Sequence, residues 1–122
     1  MEWSTIEQRL REINAILGDT TASSVKLQQA EEEVRLVACQ VASQVAKEKL
    51  GRTTSAHRMN SKDVRVIFVE AGIPADLVDR VSAMFVTADD AHHAPKNYTP
   101  NNQRIRQAAG AIREVLNHTK KA

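Results

Sequence analysis

Cysteine occurs once in the 122 residues, at Cys39. No internal disulfide can form, and a reducing compartment is the simplest setting for such a chain. Aromatic residues are 3% of the total, one Trp, one Tyr and two Phe, so the core must be built from Val, Leu, Ile and Ala. The four glycines stand singly, at 18, 51, 72 and 110. They form no Gly-rich phosphate loop and read as helix stops. Excess charge is also missing: the net charge is +2, too small a bias to argue for nucleic acid or an anionic membrane. No apolar run approaches the roughly 20 residues that span a bilayer. The opening MEWSTIEQRL is polar and amphipathic, unlike a signal peptide. The expectation is one soluble, cytoplasmic domain, either self-standing or cut from a larger membrane protein.

What the chain does have is helical periodicity. Ser4-Thr5-Ile6-Glu7 reads as a capping box, followed by Ile6, Leu10, Ile13 and Leu17 at helical spacing up to Gly18. Trp3 stands just before that cap, placed either to staple against the helix or to remain partly exposed. A polar loop from Asp19 to Ser24 leads into a long helix, about Ser24 to Leu50. Its stripe is Leu27, Ala30, Val34, Val37, Val41, Val45 and Leu50, regular enough to pack against two or more helices. Glu31, Glu32 and Glu33 read as a solvated face, and Cys39 as a small buried filler. Gly51 closes the helix.

The loop RTTSAHRM carries Arg52, His57 and Arg58. It reads as a surface loop with cations that suit a phosphate. The organising stretch follows, a pair of helices joined by a tight turn. Asn60 N-caps the first, with Asp63 at the positive end of its dipole. Val64, Ile67, Phe68 and Ala71 share one face, Gly72 ends the helix, and Pro74 restarts the chain. Leu77, Val81, Met84, Phe85 and Ala88 form the next stripe. After the loop KNYTP, Thr99 and Pro100 suit the start of a last helix. That helix is marked by Ile105, Ala108, Ile112, Val115 and Leu116 and frays from His118. The fold class expected is all-α: one bundle of about five helices, with a long central helix and a short helix-turn-helix pair. Val41, Ile67, Val81, Phe85 and Ile112 are expected among its most buried residues.

Sequence chemistry is sparse. Asp89, Asp90, His92 and His93 place two or three metal-type ligands on one helix face. A structural zinc site needs four ligands and a supporting shell, and the cluster reads as an ordinary helix end. No paired acids and no nucleophile with its base can be assembled, so no catalytic, cofactor or metal residues are assigned and an enzyme is not expected. A DNA-binding helix-turn-helix fits the outline of the central pair. Its would-be recognition helix, ADLVDRVSAMF, carries two aspartates and one arginine, the wrong chemistry for phosphates and base edges. The basic residues Arg104, Arg106, Arg113, Lys120 and Lys121 gather on the last helix and tail, as on any exposed face. A small helical nucleic-acid-binding protein is the alternative reading.

From about Val34 to the end, the stretches Lys49-Leu50, Ser61 to Gly72 with Ile73, and Asp90 to Pro95 carry a resemblance. In order they are a helix ending in Lys-Leu, a capped helix closed by a Gly-Val-like turn, and a helix ending in an acidic residue, a pair, Ala and Pro. They resemble the C-terminal cytosolic module of BatD-type aerotolerance proteins. The chain departs from that pattern at His92-His93, where the family has a basic-aromatic pair, and at Thr87, where it has a cysteine. The resemblance implies a bacterial, non-catalytic interaction module at the cytoplasmic face of the inner membrane. It implies partners of the MoxR-type AAA+ ATPase and von Willebrand factor A classes; from the residues themselves, no cofactor and no membrane contact by this piece are expected. Partner docking is expected in the groove between the central pair and the last helix, near the 89–95 corner, with Tyr98, His92, His93 and Pro95 as contact residues.

Overall fold

Leu17, the last apolar residue of the first helix, has its carbonyl capped from the far end of the chain. Asn102 Nδ2 donates to it at 2.9 Å and Arg106 Nη2 at 2.7 Å. The first helix has no basic residue in its last turn, so the last helix supplies the donors that its C-terminal carbonyls lack. The computed structural model describes residues 3–19, 21, 23–93 and 102–120, with side chains described except at 86–93 and 120.

The described residues form an all-helical bundle of five α-helices with no strand: α1 (Trp3–Gly18), α2 (Ser24–Lys49), α3 (Ser61–Glu70), α4 (Ala75–His93) and α5 (Asn102–Lys120). One 3-10 turn, Ala56–Arg58, interrupts the loop after α2. The long α2 is the staff of the bundle. It packs against all four other helices and against the 3-10 turn, while α5 also packs on α1 and α4. The sequence explains this. From Val37 to Val45 the helix carries Val, Ala and Cys on most sides, and its middle is buried all round. Alanines at 38, 42 and 46 leave room for neighbours to approach closely.

The core is aliphatic as composition demands. Val41, Ile67, Val81, Phe85 and Ile112 are all buried, and Phe68 and Phe85 are the largest fully buried side chains. Burial of such side chains stabilises by about 25 cal/mol per Å² of apolar area. Trp3 is half-buried against the core, and its indole Nε1 donates to Glu48 Oε2 at 2.8 Å. It therefore ties the start of α1 to the end of α2 instead of stapling its own helix.

Several local expectations are corrected. Helix α1 begins at Trp3, so Ser4 lies inside its first turn and does not cap it. Helix α5 does not fray at His118; it runs to Lys120, and Thr119 is buried with its hydroxyl donating to the Val115 carbonyl at 2.7 Å. Gly110 is no helix stop but sits mid-way along α5. The acidic run is no solvated face. Glu31 is 3% exposed, and Glu33 pairs with Arg9 at 2.6 Å. An unpaired buried carboxylate is costly, and Arg104 of α5 meets Glu31 at 3.2 Å.

The central pair forms as its residues dictate. Asn60 and Asp63 make a reciprocal capping box, each side chain accepting from the other's backbone N–H. Gly72, at φ +82°, closes a Schellman turn: its N–H donates to Val69 and that of Ile73 to Phe68. The Pro74 carbonyl then accepts the first bonds of α4, from Leu77 and Val78. Arg65 locks the two helices together, donating to Asp79 Oδ1 at 2.6 Å and to Ser82 Oγ at 3.2 Å.

Candidate docking grooves

Two open grooves flank the α3–α4 pair. The first lies between α4 and α5 and has a volume of about 560 Å³. Helices α4 and α5 run antiparallel here, with Arg80 and Glu114 paired across one end at 2.6 Å. Its floor is Met84 and Ala108, its walls include Ala83, Gln107 and Gly110, and Arg104 stands at the end nearest α2. Beyond its own helix, no described atom lies within 4 Å of where a Cβ on Gly110 would sit. The groove is therefore not closed by packing at that point. Its charges are balanced in place: Arg80 by Glu114, and Arg104 by Glu31.

The second groove, about 450 Å³, lies between the end of α2, the loop after it and α3. Its apolar lining is the exposed flank of Val66, backed by the largely buried Met59 and Ile67. The loop that walls it is pinned at several points. The Arg52 N–H donates to the Ala46 carbonyl, Ser43 Oγ donates to the Thr54 carbonyl, and Thr54 Oγ1 donates back to Ser43 Oγ. Arg52 pairs with Glu70 of α3. Cys39, buried as expected, faces the Met59 carbonyl with its thiol at 3.9 Å. Fixed loops of this kind hold a surface in shape before anything binds it.

The residues expected to make the docking corner divide between these regions and the rest of the chain. His92 and His93 occupy the last turn of α4, and their side chains fall outside the described residues, as do those of Asp89 and Asp90. Pro95, Tyr98, Thr99 and Pro100 lie outside the described residues altogether. The α4–α5 groove is the described part of the expected site. The second groove went unread in the sequence, although a signal for it was present. VIFV puts four apolar residues in a row on a helix, and one stripe can take only Ile67 and Phe68 of them. Val66 and Val69 are left 43% and 58% exposed.

The cationic surface is also different from that expected. Arg104 and Arg106 of α5 are committed to Glu31, to Asn102 and to the Leu17 carbonyl, and Arg113 meets Glu7 at 3.6 Å. Among the described residues, no group of three or more His, Cys, Asp and Glu side chains converges to hold a metal ion. No described helix is long and apolar enough to cross a membrane. Comparison with protein families, curated proteins and solved structures finds no match.

Proposed function

We propose that this chain is a non-catalytic protein-interaction module, the cytosolic part of a BatD-type envelope-associated assembly. Its partners are then the MoxR-type AAA+ ATPase and the von Willebrand factor A proteins that the resemblance implies, and its place is the cytoplasmic face of the inner membrane. The observation that carries the reading is the α4–α5 groove. It is open, floored by Met84 and Ala108, and flanked by charges already neutralised inside the molecule. A groove with an apolar floor and few uncompensated charges suits a protein segment.

The nucleic-acid reading draws less support. Phosphate contact needs cations that are free to meet it. Arg104, Arg106 and Arg113 each engage a partner within the molecule, Glu31, the Leu17 carbonyl and Glu7. Along α4, Arg80 is paired with Glu114, and Asp76 and Asp79 face outward.

The test is co-purification with the MoxR-type ATPase and von Willebrand factor A protein of the same genome, after nuclease treatment. Ala83→Arg and Gln107→Arg serve as groove variants, and Tyr98→Ala as a corner variant. Specific capture by the wild type, weakened by the two groove substitutions with the circular dichroism spectrum retained, is the expected result. Failure to capture either protein sinks the assembly reading. Duplex binding that weakens with salt at a log–log slope of about −0.9 per phosphate would favour nucleic acid instead.

A further inference from the structure

Helix α3 is the shortest of the five α-helices, and only its inner stripe is covered, by α2 and α4. Its outer side carries Lys62, Val66 and Val69, all exposed. Beside it runs a groove in which Val66 is the exposed apolar side chain, backed by the largely buried Met59 and Ile67. Two features of this surface point the same way.

The first is its apolar content. Val66 and Val69 are two of only three large hydrophobic side chains left exposed among the described residues. They stand at i and i+3, neighbours on one helix face. Single exposed apolar residues need no explanation, but grouped ones beside a groove mark an interaction surface.

The second is charge. Arg52 is partnered by Glu70, and Asp63 is engaged in the capping box at Asn60. Arg58 and Lys62, on opposite walls of the groove, have no carboxylate partner in the described structure. His57 lies beside Arg58 in the same exposed turn. The rim therefore carries two cations, Arg58 and Lys62, against the single Asp63 carboxylate, a small positive excess beside the exposed Val66.

We infer that the groove between α3 and the 52–59 loop docks an acidic, amphipathic segment of a partner protein, its apolar side chains against Val66 and Val69 and its carboxylates toward Arg58 and Lys62. The apolar flank is what selects a protein segment. A nucleic-acid backbone gains nothing from it, and among the described lining residues there is no aromatic ring to stack a base. A segment with a hydrophobic stripe and flanking acids satisfies flank and rim together, in the manner of helix-in-groove recognition. The charges steer the encounter and the flank supplies the hold. This surface is separate from the α4–α5 groove and does not depend on the identity of the partner assigned there.

The experiment is selection of a displayed library of random peptides on the folded wild-type chain. Enriched peptides are then synthesised and titrated by fluorescence anisotropy. The variants are Arg58→Glu with Lys62→Glu, Val66→Asp, and Gln107→Arg in the other groove as a control. All alter exposed side chains, and circular dichroism checks each fold. The expected result is a set of peptides rich in Asp and Glu with Leu, Ile or Phe at helical spacing. Their affinity falls about tenfold or more in the charge-reversed variant and in Val66→Asp, and is unchanged in Gln107→Arg.

Enrichment of neutral or basic peptides overturns the proposal, as does no enrichment at all. So does acidic-peptide binding that only Gln107→Arg weakens; that outcome would leave the α4–α5 reading standing. Duplex DNA and phosphatidylglycerol vesicles are titrated in parallel. If either binds and is weakened by the same charge reversal while the peptides are not, the groove is a phosphate or lipid surface and the proposal fails.

Discussion

Arg104, in the first turn of α5, reaches Glu31, two turns into α2, and the two meet at 3.2 Å. The pair is lopsided. The Glu31 side chain is 4% exposed and that of Arg104 is 37% exposed, so the carboxylate depends on the guanidinium more than the reverse. Replacing Arg104 with Ala removes two hydrogen bonds to a buried charge. We expect a loss of about 1–3 kcal/mol by urea denaturation. Glu31→Gln in the same background should recover part of it, because it removes the charge that was left under-paired. A double variant no better than Arg104→Ala alone would refute this account.

Phe85 is 1% exposed, and Arg35 lies over its ring at 5.5 Å from the centroid. Phe85→Ala should cost about 3–5 kcal/mol, the range for an aromatic lost from a packed core. Arg35→Met, which keeps most of the stem, should cost less than Phe85→Ala, its cation–π contact contributing about 0.5–1 kcal/mol of the loss. Thermal melts of the two variants are the measurement. Similar losses in both would mean that the ring is held chiefly by the guanidinium.

Two glycines should answer to alanine in opposite ways. Gly72 has φ +82° and open space around its missing Cβ, so Ala there meets only backbone strain and costs about 1–2 kcal/mol. Gly110 also has no described atom within 4 Å beyond its own helix but sits inside α5 at a helical φ. Ala there should stabilise by about 0.5–1 kcal/mol. A fall in melting temperature for Gly110→Ala would mean that the α4–α5 groove is narrower than the structure shows.

The Asp19 carboxyl is held below its ordinary value, first by the Thr21 hydroxyl at 2.7 Å and next by the Thr21 N–H at 2.9 Å. Both bonds favour the ionised form. The folded value thus lies below the unfolded one. Whatever stability this contributes is complete above the ordinary Asp range and is lost as pH falls through the depressed value. Thr21→Val removes the larger cause. Carboxyl-detected NMR titration should then show Asp19 moving up toward its ordinary value, with no effect on stability near neutral pH beyond the lost turn bond. An unmoved titration would show that the hydroxyl is not what holds the carboxylate.

The helices and most of their buried faces were legible because each face repeats on its own. Ile6, Leu10, Ile13 and Leu17 spell α1, and Asn60 with Gly72 brackets α3, using only neighbours in sequence. What misled was anything decided by a distant residue. The glutamates at 31–33 look solvated until α5 brings Arg104 and α1 brings Arg9 against them. The arginines of α5 look like an open basic face until Leu17 claims Arg106. Ser4 carries a good capping signature, yet the helix starts before it. The second groove was missed for a related reason. Val66 and Val69 could be read as off the stripe, but the loop that makes a groove beside them is placed by Ser43, Ala46 and Glu70.

The enclosure of α2 sets how this molecule can open. From Val37 to Ala46, nine of its ten residues are buried, and α2 packs against all four other helices. Peeling away α3 alone leaves the α1, α4 and α5 contacts on that stretch; peeling away α5 alone leaves the others. No partial opening exposes the whole turn. Backbone amides in the middle of α2 should therefore exchange with deuterium only through global unfolding, at the free energy of the entire fold, while amides of α3 exchange through smaller excursions.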